Sequence, residues 1–117
     1  MILIVESGST KADWVLLDGV NTISSFQTKG WNPLFLTSEQ MILRLKSYPE
    51  LKTVFAKILE VHFYAPGCSN TSSFNDLESS LKSVFVEAKI MIESDLCAAA
   101  RSAYKGSPLF VSILGTG

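Results

Sequence analysis

The distribution of apolar and polar stretches along the chain predicts strands at the start and helices further on. Three apolar or alternating runs come first, and two more apolar runs follow later; the runs cover Met1–Val5, Ala12–Leu17, Asn21–Thr28, Val61–Tyr64 and Ala88–Ile92. Asp18-Gly19 lies between the second and third runs and is a strong hairpin signal. Tight connections of this kind predict an antiparallel meander of the first three strands.

Helical spacing of apolar residues appears between the later strands. Thr37 or Ser38 would cap a helix that continues through Lys46, and the spacing predicts further helices over Leu51–Leu59, Phe74–Val84 and Asp95–Tyr104. Strands that alternate with helices pair in parallel. We therefore expect an α/β domain in which a mixed five-stranded sheet, antiparallel and then parallel, has helices on both faces.

The composition of the chain argues against nucleic-acid binding and against a membrane span. The 117 residues are 47% hydrophobic, and 10 Lys and Arg against 11 Asp and Glu give a net charge of −1 without a basic stretch, so nucleic-acid binding is not expected. No apolar run reaches the roughly 20 residues of a membrane span, and the start lacks the features of a signal peptide. Cys68 and Cys97 have no metal-ligand spacing and are interpreted as reduced thiols of a cytoplasmic protein.

The segment Glu6-Ser7-Gly8-Ser9-Thr10-Lys11 is the first candidate site. It joins two strands, whereas the Walker phosphate loop joins a strand to a helix. The backbone N–H groups of Gly8, Ser9 and Thr10 and the hydroxyls of the latter two could hold an anion, with Lys11 adding charge. Glu6 could hold hydrated Mg²⁺ beside it. An ordinary hairpin turn with a solvated lysine is the alternative.

Asp95 is the second candidate. It follows a predicted parallel strand at the start of a helix, at the sheet edge where open α/β sheets bind ligands. A carboxylate there could take the proton of a hydroxyl that attacks the γ-phosphate. The alternative is a plain helix N-cap. His62, Trp14 and Trp31 are predicted to be structural.

Five segments resemble motifs of the N-acetylglucosamine kinase and BadF/BadG-type ATPase family, within the sugar kinase/actin/Hsp70 ATPase superfamily. They occur in the family's order: Ile2–Trp14, Gly30-Trp31-Asn32-Pro33, Tyr64–Cys68, Glu93–Arg101 and Ile113–Gly117. The chain departs from the motifs at Glu6, where the family has Asp, at Ser94, where it has Asn, and at Ala65-Pro66, where it has Gly-Ala.

The resemblance implies an RNase H-like, actin-like ATPase domain over residues 1–106, with residues 107–117 as the first strand and phosphate loop of a second domain. It implies ATP-dependent phosphorylation of an amino sugar such as N-acetylglucosamine, with ATP and Mg²⁺ as cofactors. In that scheme Asn32 and Asp95 hold the sugar and Asp95 is the base. Gly8, Ser9, Thr10 and Lys11 hold phosphates together with Gly115, Thr116 and Gly117, and Glu6 orients the metal.

Two other functions fit the same resemblance. One is the activator ATPase of 2-hydroxyacyl-CoA dehydratases, which holds an iron–sulfur cluster between subunits. The other is a non-catalytic domain that senses a sugar or nucleotide. The predicted partner is a small-molecule sugar, and binding to nucleic acid or to a membrane is not expected. The prediction is compatible with a homodimer.

Overall fold

A computed structural model describes residues 1–8, 10–33, 35–65 and 71–93 of the chain. The elements in chain order are β1 Ile2–Ser7, β2 Lys11–Asp18, β3 Asn21–Lys29, α1 Ser38–Ser47, β4 Glu60–Tyr64, α2 Thr71–Val84 and β5 Lys89–Glu93, and a short 3-10 helix at Phe55–Lys57 precedes β4. All five predicted strands are present, with bounds that differ from the predicted ones by one or two residues.

The strands form one mixed sheet with the order β3-β2-β1-β4-β5. β2 is antiparallel to both β1 and β3, while β4 is parallel to both β1 and β5. This is the predicted antiparallel meander followed by parallel strands. The two-residue connection between β2 and β3 contains Gly19 with a φ of 62°, a left-handed conformation that favours glycine at the first central position of a hairpin loop.

A β-bulge in the hairpin of β2 and β3 sets which side chains face the core. The pairing of β2 with β3 shifts between Leu16 and Leu17, so Ile23 has no direct partner across the ladder. As a result, Trp14 pairs with Phe26, and their rings stack at 5.7 Å with an interplanar angle of 8°. Without the extra residue, Trp14 would lie opposite Ser25, and Phe26 would face the other side of the sheet.

The main core lies between one face of the sheet and two helices that pack against each other. Alternate residues of the central strands point to it, including Leu3, Val5 and Phe63, because successive side chains of a strand point to opposite faces. The helices supply the remaining apolar side chains from one stripe each, namely Met41 and Leu45 from α1 and Leu77 and Leu81 from α2.

Helix α1 begins with the capping box that its sequence predicts. The Thr37 side chain accepts a hydrogen bond from the Gln40 N–H, and the Gln40 side chain accepts one from the Thr37 N–H. Of the two N-cap residues predicted, Thr37 is the one that caps.

The helix predicted over Leu51–Leu59 is wrong. Residues 51–54 are turns, and the hydrogen bonds from Val54 N–H to the Leu51 carbonyl and from Lys57 N–H to the Val54 carbonyl join residues three apart. Because consecutive three-residue turns also bring Leu51 and Ile58 to the core, both are fully buried without an α-helix. Nucleating so short an α-helix is unfavourable, and the apolar spacing is satisfied without it.

On the face of the sheet opposite α1 and α2, several side chains are also buried. Ile4, Val15, Leu17 and His62 alternate with the core residues and are buried. Burial lowers the pKa of His62, an effect that Glu60 opposes and Lys89 reinforces. His62 is a buried strand residue, in agreement with the structural role predicted for it. The helix predicted over Asp95–Tyr104 lies outside the described residues.

Candidate active site

Strand ends meet at the carboxyl edge of the sheet. In the parallel part, Glu6, Tyr64 and Glu93 are in register across β1, β4 and β5. The antiparallel strands reach the same edge, with β2 starting at Lys11 and β3 ending at Lys29. The carboxyl edge of parallel strands is where open α/β sheets bind ligands. The fold therefore places the segment 6–11 and the end of β5 at one edge.

The connection between β1 and β2 is a hairpin, as its sequence predicts. The Gly8 N–H donates to the Lys11 carbonyl at 2.8 Å, which closes the turn. A Cβ at Gly8 would lie 3.3 Å from that carbonyl oxygen, so a larger side chain would displace the turn. Thr10 and Lys11 are exposed and free to approach a ligand. Because strand follows strand here, the segment is not a Walker loop.

Glu6 lies beside a second carboxylate that sequence reasoning did not single out. Asp13 is its direct partner on β2, so the two side chains share the sheet face opposite the helices. Burial raises the pKa of Glu6, and the charge of Asp13 raises it further, while Lys11 partly offsets both. Among the described residues, nothing donates a hydrogen bond to the buried Oε2 of Glu6. One Asp13 oxygen accepts a hydrogen bond from the Gln27 side chain at 2.8 Å.

The same row continues with Tyr64 and Glu93. Burial raises the pKa of Tyr64 to about 12, with a further contribution from the charge of Glu93, so the phenol stays protonated at neutral pH. Within residues 1–8, 10–33, 35–65 and 71–93, no group of three or more His, Cys, Asp or Glu side chains could hold a metal ion alone. A cation at Glu6 and Asp13 would need water or a ligand to complete its coordination.

A second loop is fixed against the end of β1. The Ser7 hydroxyl donates to the Trp31 carbonyl at 2.6 Å and accepts from the Trp31 N–H at 2.9 Å. The Trp31 indole N–H donates to the Tyr48 hydroxyl at 2.8 Å, and Arg44 donates to the Gly30 carbonyl at 2.9 Å. These contacts hold the backbone on which Asn32 lies. Asn32 is half-buried, and its carbonyl accepts the Phe35 N–H at 2.9 Å in the turn that follows.

Lys29 is another charged residue that the sequence did not bring forward. It is the direct partner of Lys11 across the β2–β3 ladder, and both side chains are exposed. Like charges directly opposite each other on a sheet repel. An anion near the two lysines would reduce that repulsion.

The predicted site residues are brought together only in part. Glu6, Gly8, Thr10, Lys11 and Asn32 belong to segments that lie at, or are tied to, the carboxyl edge. Asp95 lies outside the described residues, two positions after Glu93. Ser9, Gly115, Thr116 and Gly117 also lie outside them, as do the domain boundary at residue 106 and both cysteines.

The two tryptophans pack in the core, as predicted. Trp14 is fully buried and 2% of Trp31 is exposed, and their rings meet edge to face at 5.6 Å. Among the helices that the structure describes, none has the length and apolar character needed to cross a membrane.

Comparison with known proteins relates this chain to solved structures. No family model matches the sequence, and neither does any curated protein. Among solved structures, a protein from Porphyromonas gingivalis that is provisionally named an N-acetylglucosamine kinase is 32% identical to the chain, with a TM-score of 0.74. The match covers 87% of this chain and 37% of that protein. The mixed sheet and its helices are those of the actin-like ATPase fold, as the sequence motifs imply.

Proposed function

We propose that this chain is the amino-terminal ATPase domain of a kinase that transfers phosphate from ATP to an amino sugar, with N-acetylglucosamine as the first candidate. The fold is that of a sugar-kinase-like protein, and its neighbour from P. gingivalis carries the name of that activity. The observation that carries the proposal is the hydrogen bonding between Ser7, at the end of β1 and next to the proposed phosphate turn, and the backbone of Trp31 beside Asn32. Phosphoryl transfer requires the donor and the acceptor to be held side by side, and this contact ties the two segments together.

Each segment of the edge has a role in this reaction. Thr10 and Lys11 would approach the β- and γ-phosphates of ATP together with Ser9, while Gly8 keeps the turn narrow enough for phosphate to come close. Asn32 would hold the sugar. Asp95 would accept the proton of the attacking hydroxyl as a bond forms between that oxygen and the γ-phosphorus, and the bond from the γ-phosphorus to the leaving ADP oxygen breaks.

Mg²⁺ fits the pair Glu6 and Asp13. The buried Oε2 of Glu6 lacks a hydrogen-bond donor among the described residues. The negative charge of Asp13 opposes ionisation of Glu6, and a bound cation would neutralise both carboxylates. Mg²⁺ in phosphoryl-transfer sites usually takes one or two carboxylates, several waters and the phosphates of the substrate. When bound, it would neutralise charge that develops on the transferred phosphate. Glu6 would orient it through a bound water.

The reaction also needs a second domain. The chain spans 37% of the P. gingivalis protein, and we propose that residues 107–117 begin the second ATPase domain, with Gly115, Thr116 and Gly117 facing the phosphates. Phosphoryl transfer depends on positioning and charge neutralisation from both sides, so residues 1–106 alone should have little activity.

ADP release by the full-length protein tests the proposal. The assay compares N-acetylglucosamine, N-acetylmannosamine, glucosamine and glucose as acceptors in the presence of ATP and Mg²⁺. We expect ADP release that depends on an amino sugar and produces a sugar phosphate in equal amount. ADP release that no sugar stimulates would contradict the kinase and favour an ATPase, and nucleotide binding without any turnover would favour the sensing domain.

A further inference from the structure

Ser7 makes a paired contact with a distant part of the backbone. Its hydroxyl donates to the Trp31 carbonyl at 2.6 Å and accepts from the Trp31 N–H at 2.9 Å, so one side chain satisfies both backbone groups of a residue 24 positions away. The serine is 1% exposed and the tryptophan 2% exposed. A hydrogen-bonded pair shielded from water in this way has a defined geometry, because leaving either group unpaired is costly.

The contact joins two loops with different proposed ligands. On one side, Ser7 is bonded directly to Gly8, whose N–H closes the turn that precedes Lys11, and the Ser7 hydroxyl also lies 3.5 Å from the Gly8 carbonyl oxygen. On the other side, Trp31 is bonded directly to Asn32. One hydroxyl group therefore links the segment of the proposed phosphate turn directly to that of the proposed sugar loop.

The side chain of Trp31 is also fixed by contacts on several sides. Its indole N–H is bonded to the Tyr48 hydroxyl, and its ring packs against Trp14 at 5.6 Å and Phe63 at 5.7 Å. Arg44 holds the preceding residue through the Gly30 carbonyl. Since the ring is fixed on several sides, a shift of the Ser7 end acts on the peptide groups of Trp31 and on Asn32, and is not absorbed by movement of the ring.

We propose that Ser7 is a positioning residue that couples the binding of the phosphoryl donor to the binding of the sugar. This inference rests on the proposed function, because it assigns phosphate to the turn and sugar to the loop. Phosphate that orders the turn after Ser7 orders the Trp31–Asn32 backbone through the hydroxyl, so nucleotide tightens sugar binding. By linkage, the sugar tightens nucleotide binding by the same factor.

Isothermal titration of the full-length protein measures this coupling. The dissociation constant of N-acetylglucosamine is determined with and without saturating ADP and Mg²⁺, and the ratio of the two values is the coupling factor. We expect a factor of about 10 for the wild type and about 1 to 2 for Ser7→Ala. The affinity for ADP alone should change by less than about threefold, since the buried Ser7 hydroxyl bonds to Trp31 and its loss leaves the exposed Thr10 and Lys11 in place.

Ser80→Ala is the matched control. Ser80 is also 1% exposed, and its hydroxyl bonds to the Asp76 carbonyl at 2.7 Å and lies 3.4 Å from the Ser38 carbonyl, on the helices and not at the site. Its loss removes a buried serine hydroxyl without touching either loop, so the coupling factor should stay at the wild-type value. A loss of coupling in both variants would show a general effect of lower stability and overturn the inference.

A second measurement needs no variant and covers the case in which Ser7→Ala does not fold. Hydrogen exchange of the Trp31 and Asn32 amides is followed in the wild type as ADP is added, and we expect exchange to slow by about threefold or more. Unchanged exchange at both amides with ADP bound would overturn the inference. A wild type that binds neither ADP nor any amino sugar overturns the proposed function as well, whereas strong coupling retained in Ser7→Ala overturns the role of Ser7 alone.

Discussion

Replacement of Trp14 by phenylalanine tests how much the aromatic cluster around Trp14 contributes to the stability of the fold. Trp14 is fully buried and forms the centre of an aromatic cluster, with ring centroids 5.1 Å from Tyr48, 5.6 Å from Trp31 and 6.1 Å from Phe63. Its indole N–H donates to the Thr28 hydroxyl at 2.8 Å. Phenylalanine keeps an aromatic ring in place, but it loses this donor and the volume of the larger ring.

The expected cost has two parts. Loss of one largely shielded hydrogen bond costs about 1 kcal/mol. The cavity left by the missing part of the ring adds about 1 to 2 kcal/mol, less than the roughly 3 to 5 kcal/mol typical when a core aromatic residue is cut back to alanine. The free energy of unfolding should therefore fall by about 2 to 3 kcal/mol, a large share of the roughly 5 to 15 kcal/mol that stabilises most domains.

Urea unfolding followed by far-ultraviolet circular dichroism measures this change. Thr28→Val is the matched variant, because it removes the acceptor and keeps the shape of the side chain, and it should cost about 1 kcal/mol. In the double variant, the effects should fall short of additivity by about the value of the hydrogen bond. A Trp14→Phe variant within about 0.5 kcal/mol of wild type would refute this account of the cluster, as would strict additivity of the two changes.

Three further predictions concern the proposed site. Because the pKa of Glu6 is raised in the folded state, its contribution to stability is complete below the unfolded value of 4.5 and is lost as pH rises through the folded pKa. In urea unfolding, Glu6→Gln should therefore stabilise the fold more at about pH 7 than at about pH 4. Equal effects at both pH values would contradict the raised pKa. Lys29→Ala should raise the KM for ATP about fivefold with little change in the KM for the sugar, while Lys52→Ala, an exposed lysine away from this edge, should change neither. Asp95→Asn should lower kcat by about two to four decades while sugar binding persists, and a variant that keeps more than about a tenth of wild-type turnover would leave Asp95 as a helix cap.

The strand content of the fold follows from the sequence because the strands are apolar and bounded by strong turn signals. Helices between the later strands predict parallel pairing, and the sheet has it. The helix prediction over Leu51–Leu59 was wrong because apolar residues three and four apart can be buried by consecutive tight turns as well as by an α-helix. Apolar spacing alone does not distinguish the two in a short segment.

The partners of the site residues were harder to predict than the residues themselves. Counting back from the turn at Gly19 without the bulge would place Lys11 opposite Thr28 and leave Lys29 unnoticed, whereas the extra residue at Ile23 brings Lys29 opposite Lys11. The contact between Ser7 and Trp31 has no signal in the sequence, because it depends on where the backbone travels after β3 ends.

The aromatic cluster supplies an intrinsic fluorescence signal close to the candidate site. The chain contains two tryptophans, and both belong to this cluster, with their rings 5.6 Å apart. Excitation energy passes readily between indoles at such a separation, so the tryptophan emission of residues 1–117 comes from a coupled pair, one member of which, Trp31, is the chain neighbour of Asn32. Movement of that loop changes the surroundings of one member of the pair and therefore the emission of both. The protein carries its own fluorophore for stopped-flow measurement of ligand arrival.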